Sequence, residues 1–183
     1  MISLILLTPI SFILNLITRR HLTMSRWDGA LMNPLPRGVT GFYDHTEAPP
    51  PSVDLKVFRA LCHRLTRAIG AQLTEPESDE ALVHNYDVTP ITFRGESYLI
   101  VCNRHEPLLG IATHFDGYDL IRFGDLPVQL DQVDFGPFHL ISGVTLNEEP
   151  TAELYSELSP VELEQIDYWA PEKVGHIIFN QWD

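Results

Sequence analysis

His114 and Asp116 are the residues whose types and spacing come nearest to a metal-ligand pair. On a strand, residues i and i+2 point to the same face, so this imidazole and carboxylate could hold one ion between them. His139 or His176 would supply a third ligand, and the set His114, Asp116 and His139 makes a two-histidine, one-carboxylate site suited to iron. Asp116 has a competing explanation. With Gly117 it forms an Asp-Gly dipeptide, the strongest short hairpin signal in the chain. The turn explains that aspartate more cheaply than a metal does.

Two thiol–imidazole pairs come next, Cys62 with His63 and Cys102 with His105. Adjacent helical residues diverge by about 100°, so Cys62 and His63 face different ways. Cys102 ends an apolar run, and no third group that would orient a nucleophile is identifiable. Both cysteines read as reduced core thiols. Asp44-His45 with Glu47, and His105-Glu106, are polar pairs in loop-like sequence. Gly-rich phosphate loops, Gly-x-Ser-x-Gly, Cys-x-x-Cys and His-Glu-x-x-His are all missing. No residue is assigned to catalysis, and no cofactor is expected.

The elements that must position these residues follow from pattern. Ser52 reads as the N-cap of a helix running to about Ala68 and ended by Gly70. Val57, Phe58, Leu61, Cys62, Leu65 and Ile69 form its apolar stripe, with Lys56, Arg59, His63, Arg64 and Arg67 opposite. Beyond the acidic loop Glu75–Glu80, strands are expected over Ala81–Val88, Ile91–Arg94, Tyr98–Cys102, Leu108–Phe115, Tyr118–Phe123 and Phe138–Ser142. Consecutive hairpins imply antiparallel pairing. Thr151 opens a short helix through Leu158. Ser159-Pro160-Val161-Glu162 then has capping-box spacing with proline at the first helical position, opening a helix that ends near Trp169. A third helix follows Pro171.

The expected fold is α+β: an antiparallel β-meander of about five strands, with an N-terminal amphipathic helix and C-terminal helices packed on one face. Trp169, Ile177, Ile178 and Phe179 are expected to seal the sheet. The alternative is that Trp182 or Trp169 anchors a partner, because tryptophan is enriched at interface hot spots.

Residues 24–183 read as one domain, and residues 1–23 stand apart. Ile2–Ile17 is almost wholly apolar, is interrupted by Pro9 and is followed by Arg19-Arg20. It is short for a spanning helix, and its arginines follow the apolar run, the reverse of a secretory signal. A start at Met24 is the preferred reading. Membrane association, if any, would run through residues 1–23, and the location expected is the cytoplasm.

Charge is the most telling property. From Asp116 to Asp183 there are fourteen acidic side chains and two basic ones, Arg122 and Lys173, so this stretch holds −12 of the formal −13. A field of one sign repels nucleic acid and draws basic proteins. Candidates for a partner-binding face are Glu148, Glu149, Glu153, Glu157, Glu162, Glu164 and Asp167, together with Trp182.

The chain closes on Tyr168-Trp169-Ala170-Pro171-Glu172-Lys173-Val174-Gly175-His176-Ile177-Ile178-Phe179-Asn180-Gln181-Trp182-Asp183. This tail resembles the end of small bacterial proteins that serve as immunity partners of polymorphic toxins. The resemblance covers about 16 residues of the chain and implies no catalytic residues. What it implies is an inhibitor: a compact acidic protein that binds and blocks a toxin in the same cytoplasm. The resulting expectation is a non-enzymatic acidic binding protein with a basic protein partner. The alternative is a metal-dependent enzyme built on His114, Asp116 and His139, and a third reading has the acids only keeping the domain soluble.

Overall fold

The computed structural model describes residues 34–74, 84–114 and 122–182, and of His114 the backbone alone. The apolar segment 1–23, the acidic loop 75–80, residues 81–83 and the Asp116-Gly117 turn lie outside the described residues.

Helix α1 spans Leu55–Ile69. Asp54 caps it, not Ser52: its backbone is extended and its side chain accepts from the Lys56 N–H, while Val53 before it donates its N–H to the Arg104 carbonyl. Phe58, Leu61, Cys62 and Leu65 are buried, whereas Val57 is exposed beside the basic face. Gly70 ends the helix at φ 72°, the left-handed conformation that favours glycine.

The sheet is built from β1 (Gln72–Leu73), β2 (Tyr86–Phe93), β3 (Glu96–Asn103), β4 (Leu108–His114) and β5 (Arg122–Gly124), antiparallel in that order. Arg94 and Gly95 join β2 to β3 with φ 54° and 86°. Two positive φ values make a turn whose twist matches that of the flanking strands. Tyr86–Val88 and Ile91–Phe93, from two strands expected separately, are one element, because β2 continues through Pro90. Pro90 turns its carbonyl toward Thr74 and β1, so its missing N–H faces that short edge and costs no bond to β3. β4 and β5 pair as the expected hairpin does, with a register shift between Ala112 and His114. The strand β6, His139–Leu140, departs from the meander: it runs parallel to β4, with Leu108 opposite His139 and Leu109 opposite Leu140.

Side chains alternate between the two faces of the sheet. Ile100, Cys102, Leu109 and Ile111 pack with the apolar stripe of α1. Val101, Leu108 and Ala112 meet Leu154, Leu158, Ile166, Val174, Ile177, Ile178 and Phe179 from the C-terminal elements. The helices therefore divide between the faces instead of sharing one. The C-terminal layer begins with a short helix, α2 (Gly143–Leu146), that the sequence pattern did not suggest. A 3-10 turn, Ala152–Tyr155, stands where a longer helix was expected after Thr151. Helix α3, Pro160–Trp169, starts with both reciprocal bonds of the capping box, as its spacing implies. Helix α4 is Val174–Ile178. At Gly175 an added Cβ would fall 2.2 Å from the Phe123 ring, so glycine is what lets α4 lie against β5. Among the described residues no helix is long and apolar enough to cross a membrane.

Candidate functional site

Seven acidic residues between Glu148 and Glu172 are exposed: Glu148, Glu149, Glu153, Glu157, Glu164, Asp167 and Glu172. No basic residue interrupts that stretch. It lies on the face of the sheet opposite α1, whose Lys56, Arg59, His63 and Arg67 are exposed on the far side. Thr151 donates to the Glu153 carboxyl and holds it below the ordinary range.

Glu162 does not belong to this acidic face. It is 0% exposed. Its Oε1 accepts from the Gly38 N–H at 2.9 Å, the Thr40 hydroxyl at 2.9 Å and the Thr40 N–H at 3.4 Å, and its Oε2 accepts from the Ser159 N–H at 2.9 Å. A carboxylate so enclosed offers nothing to a partner. Its work is to clamp residues 38–40 onto the start of α3.

Three asparagines extend the clamp. Asn103 Nδ2 donates to the carbonyls of Val39 and Ile178, and Asn85 Nδ2 donates to the same two. Asn85 Oδ1 accepts from the Asn180 N–H, while Asn180 Nδ2 donates to the carbonyls of Thr40 and Ile177. Residues 38–40, the ends of β2 and β3, α3 and the segment after α4 are thus joined through buried polar groups. Such a network, when satisfied throughout, makes one arrangement of these segments much better than its neighbours.

On the surface above this clamp lies a row of aromatic rings. Tyr168 stands edge-on to Trp169 at 5.2 Å between centroids. Trp169 and Trp182 are parallel to within 2° at 6.5 Å, and Phe42 lies 6.3 Å from Trp182. Tyr168 is 78% exposed and Trp169 41%, while Trp182 is half-buried. Ile177, Ile178 and Phe179 are buried against the sheet as expected, but Trp169 is not. Helix α3 ends there: Ala170 adopts φ 44°, a left-handed conformation that costs a non-glycine residue roughly 1–2 kcal/mol.

The other chemical candidates resolve differently. His139 pairs with Leu108, at the opposite end of β4 from His114. Six residues of strand separate those positions by about 20 Å, so His139 cannot share an ion with His114. Asp116 lies outside the described residues. Among the described residues no group of three His, Cys, Asp or Glu is placed to hold a metal. Burial pushes the Cys62 thiol up to about 11, and the Cys102 thiol rises further from burial and the nearby Asp87 charge. Thiols held in that form are poor nucleophiles. His105 turns away from Cys102 and sets Nδ1 3.1 Å from the Pro51 carbonyl. Asp44 accepts from the Thr46 N–H and hydroxyl, and Glu47 takes both of its oxygens to Arg37. These groups build the loop.

His84 and His176 are the histidines whose surroundings matter most. Burial lowers the pKa of both from 6.5, helped by the Arg104 charge at His84 and the Lys173 charge at His176. Folded protein consequently binds fewer protons than unfolded protein as pH falls through 6.5. Stability is fully present above that value and declines toward the depressed folded pKa values. The expected result is a lower urea midpoint at about pH 5 than at about pH 7, with a smaller drop in His176→Phe. A flat profile in the wild type would contradict it.

No protein-family model, curated protein or solved structure matches the chain. Thr40, Asn85, Asn103, Asn180, Phe42 and Tyr168 carry the clamp and the aromatic row without having been marked as site residues by sequence. Tyr168-Trp169 at the end of a polar-faced helix was the available signal for the row. Beyond the capping-box spacing of Ser159 and Glu162, nothing local signals the clamp.

Proposed function

We propose that this protein is a non-enzymatic acidic binding protein, of the immunity or inhibitor type, that engages and blocks a basic protein partner such as a toxin in the cytoplasm. The observation that carries this reading is the run of exposed acids from Glu148 to Glu172, uninterrupted by a base and lying across the sheet from the cations of α1. Charge set on one face attracts a basic surface to that face and presents the opposite sign elsewhere. Glu148, Glu149, Glu153, Glu157, Glu164 and Asp167 supply the field, and Trp182 belongs to the aromatic row beside it.

The test is retention of host proteins on the immobilised full chain. A basic protein is expected to bind at about 50 mM salt and to elute well below 1 M, because screening shortens the reach of exposed charges. Glu164→Lys with Asp167→Lys is expected to weaken retention about tenfold or more. Retention of no basic protein, or equal retention by the charge-reversed variant, overturns the proposal.

A further inference from the structure

We propose that the C-terminal segment Val174–Trp182 is an acid-weakened latch: protons taken up by His84 and His176 loosen its hold on the sheet before the sheet itself opens. The latch does not depend on what the acidic face binds.

Among the described residues two buried side-chain nitrogens have no hydrogen-bond partner, Nδ1 of His84 and Nε2 of His176. Both histidines bear on this one segment. His176 belongs to α4, with its ring 6.3 Å from that of Phe123 in β5. His84 stacks on Tyr86 at 4.8 Å, and the Tyr86 hydroxyl accepts from Gln181 Nε2 at 2.6 Å. The next residue, Asn85, donates its N–H to the Asn180 carbonyl and accepts from the Asn180 N–H through Oδ1. A neutral imidazole has one nitrogen without a proton, so a buried nitrogen that lacks a partner can be left bare. An imidazolium carries a proton on both. Each of these nitrogens then becomes a buried donor with no acceptor, which is costly whichever tautomer came before.

Neighbouring groups do not offset that cost. Burial opposes a cation at both histidines, and charge adds to it, from Arg104 at His84 and from Lys173 at His176. Asp87 and Glu172 favour the cation, but Asp87 is engaged by Arg104 Nε at 2.9 Å and Glu172 is exposed. The Tyr86 face attracts a cation yet supplies no acceptor to Nδ1. The other polar grips described on the segment come from Asn85, Asn103 and backbone carbonyls, none of which titrates near neutral pH. The docked segment therefore binds fewer protons than the undocked one. Its hold is complete above 6.5 and weakens as pH falls toward the docked pKa values, by up to about tenfold per histidine at about pH 5.5. Ile177, Ile178 and Phe179 are buried against the sheet and oppose release. Acid thus raises the frequency of opening without emptying the docked state.

Amide hydrogen exchange of the full chain, corrected for the intrinsic effect of pH, reads that frequency. Between about pH 7.5 and about pH 5.5, protection of the Phe179 and Asn180 N–H groups is expected to fall about tenfold or more. At the lower pH it should lie below that of the β3–β4 ladder. His84→Phe and His176→Phe should each retain part of the lost protection, and both wild-type imidazoles should titrate below 6.5 by proton resonance. Segment protection equal to that of the ladder means opening only with the whole domain, and overturns the latch. Protection independent of pH, or midpoints at or above 6.5 for both histidines, overturns it too. So does an undiminished pH effect with both histidines replaced. Should neither variant fold, exchange and titration of the wild type decide alone.

Discussion

Glu162→Ala is expected to lose about 3–4 kcal/mol of folding stability, the largest effect of any single acidic substitution among the described residues. Alanine leaves the N–H groups of Gly38, Thr40 and Ser159 and the Thr40 hydroxyl without the acceptors they now use. Stranded buried donors each cost about 1–3 kcal/mol, moderated where water can enter the space vacated. Loss of the capping box contributes about 1 kcal/mol of that total. Glu162→Gln keeps one acceptor but turns an amide N–H toward donors, and about 2 kcal/mol is expected to go. Urea denaturation reads both as a lower midpoint at unchanged slope. A loss under about 1 kcal/mol for alanine would mean that the donors find other partners, and the clamp would not be what holds residues 38–40.

Asn103→Ala should be nearly as damaging, at about 3 kcal/mol. Asn103 is wholly buried; its amide donates to the Val39 and Ile178 carbonyls, and its oxygen accepts from the N–H groups of His105 and Glu106. One side chain thus shapes the turn out of β3 and ties it to two distant segments. Asn103→Asp separates those tasks. It keeps the acceptor for His105 and Glu106 but sets a carboxylate against two carbonyl oxygens, so it should destabilise at least as much as alanine despite its matching shape. An aspartate variant close to wild type would show that the donor half of this residue does little. Asn103→Ala and Glu162→Ala both release residues 38–40, so their costs should fall short of additive by about 1 kcal/mol.

The local elements were legible because their signals are local. The stripe in α1 and the Ser159–Glu162 capping box each rest on residues within a few positions of one another. Glu162 shows where that legibility stops. Its bond to Ser159 could be read from a spacing of three, but its bonds to Gly38 and Thr40 span 124 and 122 positions, and no spacing rule reaches so far. An acid counted by sign alone looks like surface. Trp169 was misplaced for a related reason: bulk suggested burial, whereas the indole on the last residue of α3 is exposed and stacks on Trp182, a contact that no helical spacing declares. The parallel pairing of β6 with β4 was not legible because two residues carry too little pattern to declare a partner. His139 was separated from His114 by that same pairing.

The clamp also has a temporal meaning. Its bonds join residues up to 140 positions apart, and closing so long a span costs chain entropy before any contact rewards it. The β2–β3 hairpin and α1 can form from neighbours, but the knot around Thr40 cannot nucleate anything; it completes an assembly already made. Trp182 is tied to that network through Asn180, so its place opposite Trp169 depends on it. A partner that requires Trp169 and Trp182 side by side would discriminate between finished molecules and those still in the course of folding.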